Sequence, residues 1–171
     1  MPHPRKERFF DVARETMPWE RREEQLHARL LQTLSHAYEH STAYKEIYGA
    51  ANVQPSDVRT PEDVERLPIL RVRDLMERQK RQPPFGGFDT GESGGRMKRV
   101  FVNSGLVFQP GGEWEYRDRT WSEALCGAGF QTGDLIINTF NYHLWPFSFI
   151  LDECAKRIGA VVIPAGAGNT M

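Results

Sequence analysis

Residues 131–170 read QTGDLIINTFNYHLWPFSFILDECAKRIGAVVIPAGAGNT, and their pattern decides the fold class. Two apolar runs of strand length stand at 134–138 (DLIIN) and 160–164 (AVVIP). Both are rich in Ile and Val, which suit a pleated, buried surface. Between them Phe147, Ile150, Leu151, Cys154 and Ile158 recur at a spacing that lays one apolar stripe along a helix. Asp152 and Glu153 are expected early in that helix and Lys156 and Arg157 late, as the macrodipole favours. Gly159 stands where a helix end turns left-handed. A strand–helix–strand unit of this kind predicts parallel strands joined by a right-handed crossover. Ligands gather at the carboxyl ends of the strands in such sheets. Here those ends lead into 139–146 and 165–170, the two most unusual loops in the chain.

The chain has 171 residues, enough for one domain of ordinary size with its own core. With 22 basic and 23 acidic residues, the balance predicts no nucleic-acid partner and no membrane-surface partner. Cys126 and Cys154 form neither a disulfide framework nor a metal pattern, so no metal site is predicted; both are expected as small buried hydrophobes in helices. The first ten residues are polar and basic, without the apolar core of a signal peptide. No run approaches the ~20 apolar residues of a membrane span. The expectation is a soluble, cytoplasmic protein without internal repeats.

Before this unit the chain is helical. Residues 1–16 predict a loose start. Pro18 suits the first turn of a helix, with Thr16 or Met17 near the cap. From Trp19 to about His40, Leu26, Leu30, Leu34 and Ala37/Tyr38 recur at helical spacing, opposite a solvated face of Arg21, Arg22, Glu23, Glu24 and Arg29. Tyr38, Tyr44 and Tyr48 predict the packing of a helix pair. Thr60, Pro61, Glu62 and Asp63 form a helix start, and Pro68 stops that helix. Residues 71–81 predict another helix, with Leu70, Leu75 and Met76 inward. Residues 82–95 (QPPFGGFDTGESGG) predict a mobile loop. A strand is expected at 98–102, a loop at 103–113, and a helix at 116–130 with Trp121, Leu125 and Ala128 inward. The predicted organisation is an α/β fold: an N-terminal helical layer at 1–85, a Gly-rich loop at 86–97, and at 98–171 the first three strands of an open parallel sheet, incomplete.

At this point the residues suggest a family. The chain resembles the N-terminal portion of phenylacetate–CoA ligases, within the AMP-forming adenylating enzymes. The likeness is carried by 36–48 (HAYEHSTAYKEIY), 60–75 (TPEDVERLPILRVRDL), 128–138 (AGFQTGDLIIN) and 159–170 (GAVVIPAGAGNT). It implies a partial N-terminal domain of an adenylate-forming enzyme. The implied activity joins a carboxylic acid to ATP as an acyl-adenylate and passes the acyl group to coenzyme A. The implied cofactors are ATP, Mg²⁺ and CoA; the implied partners are an aromatic or other carboxylic acid and a second copy in a homodimer. Later nucleotide motifs and a small lid domain would lie beyond Met171, so the chain alone is expected to form no acyl-CoA.

The resemblance also implies site residues. Residues 103–110 fall where the family has a phosphate loop, whose Gly, hydroxyl and Lys groups approach and neutralise phosphate. This chain reads NSGLVFQP there: Ser104, Gly105 and Pro110 match, while Leu106, Val107, Phe108 and Gln109 replace two threonines, a glycine and the lysine. Ser104 and Gly105 are the implied nucleotide contacts, or a plain strand-end turn. Gly111 and Gly112 offer backbone approach at a shifted position. The Gly-rich 86–95 precedes a strand and is not a second phosphate loop. Phe140, Tyr142, His143 and Trp145 fall in the loop that walls the acyl group in the family; otherwise these rings pack the sheet against the helical layer. His143 is a polar helper or a satisfied loop histidine rather than a general base. Gly166, Gly168 and Asn169 form a turn that approaches nucleotide or substrate, or is simply tight. No catalytic residue is assigned. Two other readings stand beside the ligase: a non-catalytic domain that binds a small molecule or a partner, and a self-associating fragment whose sheet face is uncovered.

Overall fold

In the computed structural model the described residues are 9–91, 97, 99–103, 105–111 and 115–168, with no side chains given at 115–119. In chain order the helices and strands are α1 (Val12–Glu15), α2 (Trp19–His40), α3 (Thr42–Ala50), α4 (Val72–Arg81), β1 (Arg99–Asn103), β2 (Val107–Gly111), α5 (Glu115–Ala128), β3 (Leu135–Ile137), α6 (Phe147–Arg157) and β4 (Val161–Ile163). The chain divides into two compact units: Pro18–Gly112, and Met1–Met17 with Glu113–Met171.

In the unit Pro18–Gly112, α2 spans the predicted range, but Pro18 is its N-cap rather than a first-turn residue. Leu34 is buried with Tyr48 and Val58, and Leu30, Leu31 and Tyr38 pack on them. Leu26, two turns before Leu34, lies beyond the reach of this cluster and is exposed, against expectation. The tyrosines pair as expected: Tyr48 stacks on Tyr38 at 6.2 Å and meets Tyr44 edge-on at 5.8 Å. The Thr60 start is present, with the Asp63 carboxylate accepting the Arg59 and Thr60 N–H groups at 2.9 Å each. It opens a six-residue 3₁₀ turn, Pro61–Arg66, not an α-helix. Such turns stay short because their hydrogen-bond geometry is poor.

Two expectations about this unit are corrected. The Gly/Pro-rich loop is pinned over 82–91: Phe85 is buried, and the Gly87 carbonyl accepts the Ser41 hydroxyl at 2.7 Å and the Ala43 N–H at 3.0 Å. Residues 92–96 lie outside the described residues. Within the predicted loop 103–113, Val107–Gly111 is instead the second strand of a hairpin. β1 and β2 pair antiparallel in the register Val102↔Phe108 and Val100↔Pro110. Pro110 is tolerated because of alternation. Both main-chain groups of Phe108 turn away from β1 to the Gln79 side chain, at 2.7 and 2.8 Å. Pro110, two residues on, also turns its nitrogen outward, so no ladder bond is lost.

In the other unit, β3 and β4 pair parallel with Leu135 opposite Val161 and Ile137 opposite Ile163. The strand–helix–strand unit is therefore present, and Gly159 takes φ +84° at the end of α6. A Cβ on Gly159 would lie 2.8 Å from the Thr132 hydroxyl, so space as well as φ demands glycine. The parallel part has two strands among the described residues, not three, since β1 pairs with β2. α6 begins at Phe147, so Asp152 and Glu153 fall in its middle rather than its first turn; both reach Lys156, at 2.6 and 3.5 Å. The core joins Ala155, Ile158 and Ala160 to Phe10, Leu125, Cys126, Ile136 and Val162. Phe10 belongs to the predicted loose start. Residues 10–16 of that segment are ordered by α1, whose cap is the Asp11 side chain and whose Glu15 carboxylate accepts the Phe10 and Asp11 N–H groups, while residues 1–8 lie outside the described residues.

Ala128 is exposed and Trp121 38% exposed, not inward; fully buried Ser122 and Cys154 mark the α5–α6 crossing, with the Ser122 hydroxyl donating to the Cys154 carbonyl at 3.3 Å. Small residues let the two helix backbones approach, which leaves no room there for the indole. Cys154 is buried as expected and Cys126 half-buried. Ile136 and Val162 face the core. Leu135 and Ile137 face the other way and are 66% and 61% exposed, so the strands are not buried on both faces.

Candidate functional site

The site lies where β3 and β4 end. β3 hands over to Asn138, a buried polar residue. Its N–H donates to the Ile163 carbonyl at 2.9 Å, continuing the ladder by one residue. Its carbonyl accepts the Gly166 N–H at 3.1 Å, which ties the turn after β4 to the end of β3. Its side chain serves the other loop. Oδ1 accepts the Phe140 N–H at 3.2 Å, and Nδ2 donates to the Tyr142 hydroxyl at 2.8 Å and to the Ser148 carbonyl at 3.0 Å. Buried Ser148, in the first turn of α6, donates its hydroxyl to the Asn141 carbonyl. Loop 139–146 is thus held from both ends by buried polar groups, as buried polar groups require.

Aromatic packing completes the wall. Phe147 is met edge-on by Trp121 at 5.0 Å and Phe140 at 4.9 Å, and Trp145 lies at 5.5 Å. Tyr142 sits edge-on to Phe149 at 5.4 Å. These separations suit aromatic pairs. Phe140 and Trp145 remain 42% and 50% exposed, so each ring keeps free surface. The Tyr142 hydroxyl reaches Asp152 at 3.4 Å, and Asp152 pairs with Lys156. Partial burial, then the Asp152 charge, raises the Tyr142 hydroxyl above its ordinary range. The hydrogen bond that Lys156 donates to Asp152 likewise holds its ammonium above its ordinary range.

The residues expected at the site fare differently. Phe140 and Trp145 come together on Phe147, and Tyr142 enters the polar chain. His143 is exposed. Gly166 and Gly168 have φ +68° and +88°, with nothing within 4 Å of where a Cβ would stand, so this turn has open space above its backbone. Gly105 lies in the other unit, at the hairpin turn with φ +85°, and a Cβ there would be 3.1 Å from the Met76 sulfur. Ser104 and Asn169 lie outside the described residues. The residues missed are Asn138, Ser148 and Asp152 here and Gln79 in the hairpin. A polar residue closing an apolar run, just before an aromatic loop, was the available signal for Asn138.

The hairpin turn does not fit phosphate among the described residues. Leu106 occupies the tip at φ +59° and is 76% exposed, a hydrocarbon where charge and hydroxyls would be needed. Gln79 takes the Phe108 N–H, and Gln109 accepts the Asn103 amide at 2.8 Å. Among the described residues no cluster of three or more His, Cys, Asp or Glu suits a metal ion, and no helix is long and apolar enough to cross a membrane.

No protein-family model matches the chain. Among curated proteins it is 27% identical over 162 residues to the phenylacetate-coenzyme A ligase of Thermus thermophilus, covering 91% of this chain and 35% of that one. It is 30% identical over 148 residues to the phenylacetate-coenzyme A ligase of Escherichia coli, covering 83% of this chain and 32% of that one. The chain therefore spans about a third of the length of the curated relatives it matches. Among solved structures, a 2-hydroxyisobutyryl-CoA ligase in complex with 2-HIB-AMP superposes with a TM-score of 0.87 at 30% identity, over 98% of this chain and 36% of that one. The chain is similar to the N-terminal portion of these ligases, as its motifs suggested, and shares the fold of that portion.

Proposed function

We propose that this chain supplies the acid-binding wall of an AMP-forming acid–CoA ligase. Its likeness to the N-terminal portion of such ligases supports the reaction class. One observation carries the assignment of the wall: Phe140 and Trp145 lean on Phe147 and keep half their surface free at the carboxyl end of a parallel strand. Such rings desolvate an aryl or branched acyl group, while the Gly166–Gly168 backbone leaves the adjoining space open.

The reaction of the whole enzyme joins the acid to ATP, with Mg²⁺, and transfers the acyl group to CoA. In this segment the residues' share is to bind and orient the acid and to exclude water from its apolar part. No phosphate step is assigned to 105–111, where the Phe108 N–H is taken by Gln79 and the tip is apolar. The chain alone is expected to form no acyl-CoA from phenylacetate, ATP, Mg²⁺ and CoA; thioester formation at a ligase-like rate would contradict this. A cytoplasmic location and pairing of two copies belong to the same proposal.

The apolar hairpin favours a second reading, a binding domain derived from such ligases. Calorimetric titration with phenylacetate, with and without ATP and Mg²⁺, separates the two. Tightening by ATP supports the ligase; acid binding indifferent to ATP supports the binding domain; and no acid binding at millimolar concentration removes both.

A further inference from the structure

We infer that Asn138 is the positioning residue of this site: from the end of β3 it fixes the aromatic loop against the Gly166 turn, and by donating to the Tyr142 oxygen it turns the Tyr142 proton to Asp152, so that Tyr142 offers a ligand its ring and not its proton. The inference rests on the acid-binding reading above and deepens it.

Hydrogen-bond bookkeeping orients the network. The Ser148 carbonyl can only accept, so the atom of Asn138 facing it at 3.0 Å is the donating Nδ2. The other atom, Oδ1, then faces the Phe140 N–H at 3.2 Å, as an acceptor must. Both amide hydrogens are now placed, one on Ser148 O and one on the Tyr142 oxygen at 2.8 Å. The tyrosine oxygen is an acceptor in that bond, so its own hydrogen points elsewhere. It points to the Asp152 carboxylate at 3.4 Å. The second Asp152 oxygen is held by Lys156 at 2.6 Å, so the carboxylate is fixed as a charged acceptor. A ligand carboxylate also can only accept, and it finds no free proton on Tyr142. What Tyr142 presents is the ring packed on Phe149.

The same residue couples the two strand-end loops. Its main chain takes Ile163 O and Gly166 N, its side chain takes Phe140 N, Tyr142 and Ser148 O. Its side chain thereby bonds both the loop after β3 and α6. Removing it leaves the Ser148 carbonyl and the Phe140 N–H without these partners, and the loop is then free to open locally.

The test uses the full chain and two readouts: amide hydrogen exchange over 139–168 and titration with phenylacetate. In Asn138→Ala the Phe140 amide is expected to exchange about tenfold faster or more, and phenylacetate to bind about tenfold more weakly. In Tyr142→Phe, which keeps the ring, Asn138 still holds Phe140 and Ser148, so the affinity is expected to stay within about threefold. Unchanged exchange at 140–146 in Asn138→Ala overturns the inference. So does a Tyr142→Phe variant that loses tenfold in affinity with exchange unchanged, since that marks the hydroxyl as a direct ligand donor. If Asn138→Ala fails to fold, Asn138→Ser, which keeps an acceptor near Phe140, is read on the same scale. If the unmodified chain binds no phenylacetate, the acid-site reading fails, and the exchange comparison alone decides the positioning role.

Discussion

The loop after β3 and the turn of the β1–β2 hairpin both follow apolar strands, yet they are held in opposite ways. The first is tied by side chains: Asn138, Ser148 and Tyr142 reach across to main-chain groups and to Asp152. The second is tied behind its tip, where Gln79 of α4 pairs with both main-chain groups of Phe108, and the tip itself carries Leu106 in a left-handed conformation. Polar anchoring leaves the rings of the first loop free to face a ligand. Main-chain anchoring takes the Phe108 N–H of the second and leaves its tip apolar. The difference accounts for assigning acid binding to one and withholding phosphate binding from the other.

Removing the clasp should produce the largest loss of stability. Gln79→Ala leaves the Phe108 N–H and carbonyl unpaired at a part-buried site, which is expected to cost about 2–3 kcal/mol in urea unfolding. A loss under about 0.5 kcal/mol would mean that the hairpin does not depend on α4, and the contrast with the Asn138 loop would collapse.

A smaller effect of opposite sign is expected at the tip. Leucine in the left-handed region is strained, and asparagine tolerates it better. Leu106→Asn should therefore stabilise the chain by about 0.5 kcal/mol, since the exposed side chain loses little packing. Destabilisation would show that Leu106 has an apolar partner in solution.

The smallest effect lies in alkali. Tyr142 and Lys156 both have pKa values raised on folding. A raised pKa contributes stability that is complete below the unfolded value and is lost as pH rises through the folded one. The urea midpoint should thus decline above about pH 10, the ordinary range of both groups. Tyr142→Phe should make that decline shallower. A decline of equal slope in the variant would place the titrating group elsewhere, Tyr48 being the other tyrosine with a raised pKa.

The strand–helix–strand unit was legible in the sequence because its information is local. Short Ile/Val-rich runs, an apolar stripe at Phe147, Ile150, Leu151, Cys154 and Ile158, and Gly159 each state their own conformation. The hairpin was not legible. NSGLVFQPGG has the composition of a loop, and its second strand is held by partners distant in sequence, among them Gln79, 29 positions earlier than Phe108. The candidate site was half legible. The aromatic residues were visible as a cluster, but the bond that holds them runs from Asn138 to a carbonyl ten positions on and to a tyrosine whose partner is Asp152. Helical and strand periodicity say where a side chain points, not which polar group it meets.

The most direct test of the acid-binding wall is a calorimetric titration of the chain with phenylacetate, repeated on Trp145→Ala. Trp145 is half exposed and rests on Phe147, so its loss should spare the fold. The expected result is saturable binding that weakens about tenfold or more in the variant, equivalent to about 1.4 kcal/mol. Equal affinity in the two proteins, or no binding by either, would contradict the assignment of loop 139–146 as the wall of the acid site.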